Sequence, residues 1–311
     1  MLKRHIPKKL YHYCSLNVFQ KIIEGQSIWL SDINKSNDMQ ELRWIKGQCN
    51  YYILQAWVDY INAKEKQNEL RSVDFTRFDE VKKFGELSLA YNLKMWWAFC
   101  MSEIKDDLGQ WRGYADDGMG VSIGFSSTFL ESINAVSKVI GLESSLYCKQ
   151  VRYSQKDIEM FFHEHIGLSE ISADNTLDEV INLLESAVLY SMKNAALFKQ
   201  ESFRAEKEWR IIFTCDGNEF KPNFLPEVAD GYDKYFSLRD FGYEISKHSL
   251  VSHIELSLTI QGMKQAISEI TIGPRSKLKR EDIQLFLIAN GLLDDFNDKS
   301  ILVNRSQSSY R

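Results

Sequence analysis

The chain has few of the residues that interrupt or crosslink a fold. Among its 311 residues there are only four prolines and five cysteines, and no Gly/Ser-rich or Pro-rich linker divides it. The cysteines form no C-x-x-C pair, which favours reduced thiols over a disulfide framework or a zinc knuckle. We therefore expect a single domain over residues 1–311, with a core at about 9–290 and helical insertions at about 51–97 and 155–199.

A strong excess of charge and a long apolar segment are also missing. The formal net charge is -5, which creates no overall attraction to nucleic acid or to an anionic membrane. No apolar run reaches the length of about 18 residues that indicates a membrane span. The basic start MLKRHIPKKLYHYCS is not followed by the apolar stretch of a signal peptide. These absences predict a cytoplasmic protein without a membrane partner.

Motifs of several enzyme classes are absent as well. The chain contains neither G-x-x-x-x-G-K-[ST] nor G-x-G-x-x-G, so hydrolysis of nucleoside triphosphates by a P-loop is excluded. His163 and His165 flank one glutamate, a spacing that does not match the helical H-E-x-x-H zinc motif, and we predict no metal site. A nuclease that holds a divalent metal with Asp38, Glu41 and Glu206 remains a third hypothesis, which no carboxylate spacing specifically supports.

The sequence does contain an alternation of short strand and helix patterns. Helical periodicity predicts helices at 16–25, over most of 51–99, at 176–199 and at 276–291. The strands outnumber the connections that a doubly wound sheet would need, so we expect the α+β class. The predicted strands are KLYHYCS (9–15), SIWLSD (27–32), AFCMSE (98–103), GVSIGF (120–125), EWRIIFTC (208–215), HIELSLTI (253–260) and ISEITIGP (267–274).

The stretch ESFRAEKEWRIIFTC at residues 201–215 combines charged and apolar residues in an unusual way. If the strand includes Glu206, alternation places Glu206, Glu208 and Arg210 on one face. One interpretation is a solvated edge or a structural set of ion pairs. The other is a cleft carboxylate, held by neighbouring arginines, that accepts a hydrogen bond from a ribose hydroxyl and stabilises a cation at C1. The sequence favours neither.

Two further segments carry side chains suited to a ligand. His12 can donate a hydrogen bond from one ring nitrogen and accept at the other, although a histidine that packs between aromatic residues explains it equally simply. Trp111 and Tyr114 lie three apart on a helical turn and could form a flat wall for a base or nicotinamide ring, with Arg112 near enough for a phosphate. Packing against a sheet is the alternative for these aromatic residues.

Taken in order, these motifs resemble known proteins. LYHYCS, WLSD followed by ND-x-x-E, FCMSE followed by W-x-x-YA and G-V-x-I-x-F, EKEWRIIF and ITIGP-R resemble a widespread bacterial domain family of unknown function, over about residues 9–290. A strand with a histidine, a short helix that ends in glycine, a second strand and a late E-x-E strand are more distantly similar to the ADP-ribosyltransferase fold, with its split β-sheet. That fold includes the DarT-like toxins, which modify nucleic acid.

The similarity to the transferases implies a toxin or antiphage defence protein that uses NAD as its substrate. The acceptor would be a nucleic acid or a protein, and an antitoxin or another defence protein would be a partner. A non-catalytic module on the same fold, which senses a nucleotide or binds a protein, is the alternative. The similarity implies that Glu208 is the catalytic residue and that Glu206 orients the acceptor. It implies that His12 binds the nicotinamide ribose, that Ser31 or Ser102 lies near the nicotinamide, and that Trp111 and Tyr114 line the pocket. Arg210 or Arg204 would keep Glu208 ionised and contact the pyrophosphate.

Overall fold

A computed structural model describes residues 5–35, 41–67, 94–136, 145–165, 171–216, 236–246 and 249–310. In these residues ten strands form one large sheet, and helices cover both of its faces. The strands are β1 (Lys9–Cys14), β2 (Ser27–Asp32), β3 (Lys94–Ser102), β4 (Val121–Ser126), β5 (Ser145–Gln150), β6 (Glu208–Asp216), β7 (Phe236–Ser246), β8 (Ser249–Leu258), β9 (Ile267–Ile272) and β10 (Leu302–Arg305). The α-helices are α1 (Leu16–Gly25), α2 (Glu41–Lys66), α3 (Leu108–Tyr114), α4 (Ser127–Val136), α5 (Gln155–His165), α6 (Leu177–Asn194), α7 (Ile260–Ala266) and α8 (Arg280–Ala289). Short 3-10 helices lie at Ile33–Lys35, Ala195–Leu197 and Glu201–Glu206.

The sheet is mixed and open, which confirms the predicted α+β class. The described strands follow the order β10-β9-β4-β1-β3-β2-β8-β7, and β6 pairs with β3 and β5. These pairs are antiparallel, except for the parallel pair of β9 and β10.

The sheet is split along one edge of β3. β6 pairs with β3 along its whole length, so that β1 and β2 both meet the opposite edge. β1 meets that edge where Tyr11 lies opposite Ser102, and β2 meets it where Ser31 lies opposite Ala98. Two strands cannot occupy the same stretch of an edge, so β1 and β2 separate near Cys100.

Each face of the sheet has its own hydrophobic core, because side chains alternate along every strand. The α1 face carries Leu10 and Ile211 and is covered by α1, α4, α7 and α8. The α3 face carries Trp96 and Ile212 and is covered by α2, α5 and α6. On the same face α3 packs against β1 through Trp111. The α3 face also carries the charged residues of β6.

Helix α1 shows how local sequence sets an element. The Ser15 side chain accepts a hydrogen bond from the Val18 backbone N–H at 3.3 Å, which caps the first turn. Phe19, Ile22 and Ile23 follow at helical spacing and are buried. The helix ends at Gly25, so the bounds predicted from the sequence are confirmed.

Other predicted elements have different bounds. Of the helix predicted over most of 51–99, the described part ends at Lys66, and residues 68–93 lie outside the described part of the chain. The helix predicted at 176–199 ends at Asn194 and is followed by the 3-10 helix Ala195–Leu197, and side chains bind two of its last carbonyl groups. Tyr147 donates to the Lys193 carbonyl at 3.0 Å and Asn194 donates to the Tyr190 carbonyl at 2.9 Å. The strands β5, β7 and β10 were not predicted.

The charged strand begins later than the sequence pattern indicated. Glu206 is the last residue of a 3-10 helix, Lys207 has a left-handed φ of 44°, and β6 starts at Glu208. The prediction that Glu206 shares a strand face with Glu208 and Arg210 is therefore wrong, because the backbone at Lys207 interrupts the alternation. Glu208 and Arg210 do share a face.

Candidate functional site

A buried cluster of opposite charges lies on the α3 face at the start of β6. Glu208 and Arg210 are 5% and 3% exposed. Arg210 donates from Nε to Glu208 Oε1 at 2.8 Å and from Nη2 to Oε2 at 3.0 Å, and it donates from Nη1 to the Ala196 carbonyl at 2.7 Å. Lys199 Nζ reaches Glu208 Oε2 at 3.2 Å. Both oxygens of Glu208 are therefore bound by cations.

These contacts keep the cluster charged at neutral pH. Burial alone would raise the pKa of Glu208, but the charges of Arg210 and Lys199 lower that pKa to about 2. Burial would likewise lower the pKa of Lys199, but the neighbouring Glu208 and Glu206 raise it above its usual value. The cluster is therefore a set of buried ion pairs, and the prediction of a solvated edge is wrong.

Glu206 is the more accessible of the two carboxylates. Its side chain is 18% exposed, compared with 7% for Glu208. Tyr114 donates from its hydroxyl to Glu206 Oε1 at 2.7 Å, and Lys199 donates to Oε2 at 2.7 Å. Glu206 lies in the wall of a cavity of 270 Å³ between α3 and the 3-10 helix Glu201–Glu206. The cavity is lined by Asp107, Gly109, Gln110, Gly113, Tyr114, Ala205 and Glu206.

The backbone around the two carboxylates is held by buried hydroxyl groups. Ser102 donates to the Glu206 carbonyl at 2.7 Å and accepts from the Ile104 N–H at 3.1 Å. The Tyr153 hydroxyl accepts from the Glu208 N–H at 2.8 Å. Ser102 is only 2% exposed, so it holds the backbone at Glu206 in place and does not face a ligand.

Cys100 lies beside this cluster at the split in the sheet. It pairs with Arg210 across β3 and β6, the residue is exposed, and its thiol interacts with the Glu208 carboxylate. Desolvation by the surrounding protein, and then Glu208, raise the pKa of the thiol well above the usual value. Sequence reasoning missed this residue, although its position two before Ser102 on a strand places both on one face.

His12 lies across the split from Cys100. A carbonyl can only accept, so His12 Nδ1 donates to the Cys100 carbonyl at 2.8 Å, and the ring stacks on Phe99 at 4.1 Å between centroids. Burial lowers the pKa of His12 to about 4, although the bond to Cys100 opposes this shift. The ring is therefore neutral at pH 7, with Nε2 as its acceptor. Alternation along β1 places Tyr11, not His12, on the face of Glu208.

The remaining predicted residues are divided between the surface and the core. Ser31 is exposed on β2, opposite Ala98 and His253. Trp111 is fully buried, where its ring meets Tyr13 edge to face with centroids 4.8 Å apart. The predicted flat wall of Trp111 with Tyr114 is therefore not formed in this structure, because Trp111 anchors α3 to the sheet and only Tyr114 faces the cavity.

A lysine takes the place that the sequence suggested for Arg204. Of the two arginines named for holding Glu208, Arg210 does so, and Arg204 pairs instead with Glu201 at the surface. Lys199, which is 6% exposed, fills this role and joins Glu206 to Glu208. The available signal was a single cation in the otherwise apolar run AALFK, at residues 195–199.

Part of the metal hypothesis falls outside the described residues. Asp38 is not among them, and neither are the side chains of Glu41, His163 and His165. Over the residues that the structure does describe, no group of three His, Cys, Asp or Glu side chains could hold a metal ion. In the same part of the chain, no helix is long and apolar enough to cross a membrane.

Fold and site together define an α+β protein with a split, open sheet and a buried cluster of carboxylates and cations beside a cavity. Residues 110–211 match the family model described as "Protein of unknown function (DUF2971)", which confirms the predicted resemblance to an uncharacterised domain family. No curated protein and no solved structure matches the chain. The matched range includes Tyr114, Lys199, Glu206, Glu208 and Arg210.

Proposed function

We propose that the protein is an NAD-using enzyme of the ADP-ribosyltransferase type, in which the pair Glu206 and Glu208 forms the reactive site. The observation that supports this function best is the position of Glu206. Its carboxylate lines a cavity and is held there by Tyr114 and Lys199, at 2.7 Å each. A role in bacterial toxicity or antiphage defence belongs to the proposal and rests on the resemblance to the DarT-like toxins.

The chemistry of glycosyl transfer matches such a carboxylate. As the bond between ribose C1 and nicotinamide breaks, its electron pair leaves with nicotinamide and positive charge develops at C1. A fixed carboxylate can stabilise that charge and accept a hydrogen bond from a ribose hydroxyl. The nucleophile of the acceptor then bonds to C1 and loses its proton.

The size of the cavity limits which part of the substrate it can hold. At 270 Å³ it is slightly smaller than the roughly 300–1,000 Å³ of typical small-molecule sites. In the proposal it holds one ribose with its base, and the remainder of NAD extends over the surface near Cys100 and Ser31. Glu206 contacts the ribose, and Glu208 acts through Lys199 by keeping Glu206 in position.

A binding module without catalysis is the second candidate, and one observation favours it. Glu208 is buried and already accepts three hydrogen bonds from Arg210 and Lys199, whereas the more exposed Glu206 accepts one at each oxygen, so Glu208 is poorly placed to accept a ligand hydroxyl. A protein that senses a nucleotide, or binds another protein, needs only the cavity and the polar groups around it.

The test is NAD binding and nicotinamide release by the purified chain, with and without nucleic acid and cell lysate. The variants are Glu206→Gln and Glu208→Gln, and Glu201→Gln is the matched control because Glu201 pairs with Arg204 at the surface. We expect Glu206→Gln to lower release by about 100-fold or more, since one preorganised electrostatic contact contributes on the order of 10²–10³ in rate. The control should keep the wild-type rate.

Each outcome selects one function. Binding without release under every condition would favour the binding module. If the wild-type protein neither binds NAD nor releases nicotinamide, the NAD proposal is refuted. Release that survives Glu206→Gln but not Glu208→Gln, in variants that remain folded, would return the catalytic role to Glu208, as the resemblance implied.

A further inference from the structure

Residues 306–308 of the segment 306–310, which we call the C-terminal strap, are bound by one carboxylate far away in the chain, that of Asp106. Ser306 and Ser308 donate from their hydroxyls to Asp106 Oδ1 at 2.6 and 3.2 Å, and the Gln307 N–H donates to Oδ2 at 2.8 Å. Asp106 also accepts from the indole N–H of Trp111 at 2.6 Å. Burial would raise the pKa of Asp106, but these hydrogen bonds lower it, so the carboxylate is ionised.

The end of the strap has a second attachment. The Tyr310 hydroxyl donates to Asp117 Oδ1 at 2.7 Å. The guanidinium groups of Arg112 and Arg275 lie 5.9 and 5.5 Å from the centre of the Tyr310 ring, within the range of cation–π attraction. Arg275 also pairs with Asp117.

The two attachments lie at opposite ends of α3. Asp106 lies just before the helix, next to its N-cap Asp107, and Asp117 lies in the turn that follows it. Helix α3 and its cap supply most of the cavity lining, and they carry Tyr114, which donates to Glu206. The strap thus contacts Asp106, Arg112 and Asp117, none of which lines the cavity.

We propose that the C-terminal strap is a latch that sets the position of α3, so that its release moves Tyr114 away from Glu206 and opens the cavity. The strap binds an ionised carboxylate through hydroxyl and amide donors. A negative group on Ser306 or on Ser308, such as an aspartate or a phosphoryl group, would replace the hydrogen bond that this serine donates to Asp106 with repulsion between like charges. The inference goes beyond the proposed function, because it concerns the wall of the cavity whatever ligand the cavity holds.

The test measures hydrogen–deuterium exchange in the full chain without ligand. Ser306→Asp is compared with Ser309→Asp, because Ser309 is exposed in the same segment and carries the same added charge. We expect exchange in residues 306–310 and in α3 to rise by about tenfold or more in Ser306→Asp, since the lost hydrogen bond was made to a charged group and the new charge repels Asp106. Ser309→Asp should leave both segments at the wild-type rate.

A second variant keeps the result decisive if Ser306→Asp folds poorly. A chain that ends at Arg305 lacks the strap but retains all ten strands, and it should show the same faster exchange in α3. Unchanged exchange in α3 after the strap is released or removed would overturn the proposal. Equal effects of Ser306→Asp and Ser309→Asp would overturn the role of Asp106 in holding the latch.

Discussion

At the scale of single residues, one lysine connects two carboxylates that have different environments. Lys199 binds the buried Glu208 and the partly exposed Glu206. Two cations and two carboxylates make the cluster with Arg210 electrically balanced, which is how a sheet can bury full charges. If one charge of the cluster is removed, its partners lose part of their compensation. The loss of folding stability is therefore larger for a buried member than for an exposed one.

The first prediction concerns this difference in burial. Glu208→Gln should lower the free energy of unfolding by about 3–5 kcal/mol, because Arg210 would be left as an uncompensated buried charge and Lys199 would keep only Glu206 as its partner. Glu206→Gln should lower it by only about 1 kcal/mol, since the amide can still accept from Tyr114 and the site is partly exposed. Urea unfolding of both variants measures the two losses, and equal losses would contradict the assignment of Glu208 as the buried anchor.

At the scale of elements, the turn between α3 and β4 determines where α3 ends. Asp116, Asp117 and Gly118 all have positive φ, at 50°, 52° and 82°, so the chain reverses over a few residues. Gly120 then passes so close to β1 that an added Cβ would lie 2.1 Å from the Cys14 carbonyl oxygen. Only glycine permits this approach of two backbones.

The second prediction follows from that approach. Gly120→Ala should destabilise the protein by about 1–3 kcal/mol or more, because a backbone carbonyl cannot move as a flexible side chain can. Gly47→Ala is the matched control: Gly47 lies in α2 and an added Cβ meets nothing within 4 Å, so alanine should stabilise by about 0.5–1 kcal/mol. Thermal unfolding distinguishes the two signs. A neutral Gly120→Ala would show that β1 and the turn are not in contact.

At the scale of the whole molecule, one row of residues crosses the α3 face from β9 to β6. Its two ends are buried carboxylates, Glu269 and Glu208, each held by two cations. Lys9 Nζ lies 3.0 Å from Glu269 Oε2, and Lys105 Nζ lies 3.0 Å from Glu269 Oε1. The row, read from strand register, is Glu269, Gly124, Tyr11, Ser102 and Glu208. Distant parts of the chain are therefore joined by ionised carboxylates.

The third prediction is a loss of stability in acid. The pKa of Glu208 is lowered from 4.5 to about 2, and the pKa of Glu269 is lowered because Lys9 and Lys105 outweigh the opposing effect of burial. As the pH falls below about 4.5, carboxylates of the unfolded chain take up protons before those of the folded chain do. The contribution of Glu208 to the free energy of unfolding is therefore fully present above that pH and declines towards pH 2. Urea unfolding between pH 6 and pH 2 should show this decline, with a shallower slope in Glu208→Gln. Identical slopes would contradict the contribution of Glu208.

Local patterns predicted several elements and part of the site. The bounds of α1 are those read from its cap and apolar spacing, and Glu208 with Arg210 lies on one face, as alternation requires. Glu206 was misplaced because one left-handed residue, Lys207, interrupts the alternation. No periodicity indicates such a residue when it is not a glycine.

The sequence by itself determined the α+β class and the main secondary-structure elements, since helix caps and alternating apolar residues act within a few positions of the chain. Tertiary structure alone decided which groups meet. Lys199 reaches Glu206 and Glu208 because the chain turns through the 3-10 helix Glu201–Glu206 between Lys199 and β6. Asp106 binds Ser306 across 200 positions. Such contacts depend on strand pairing and packing, and no local pattern of residues encodes the distance between two segments that lie far apart in the chain.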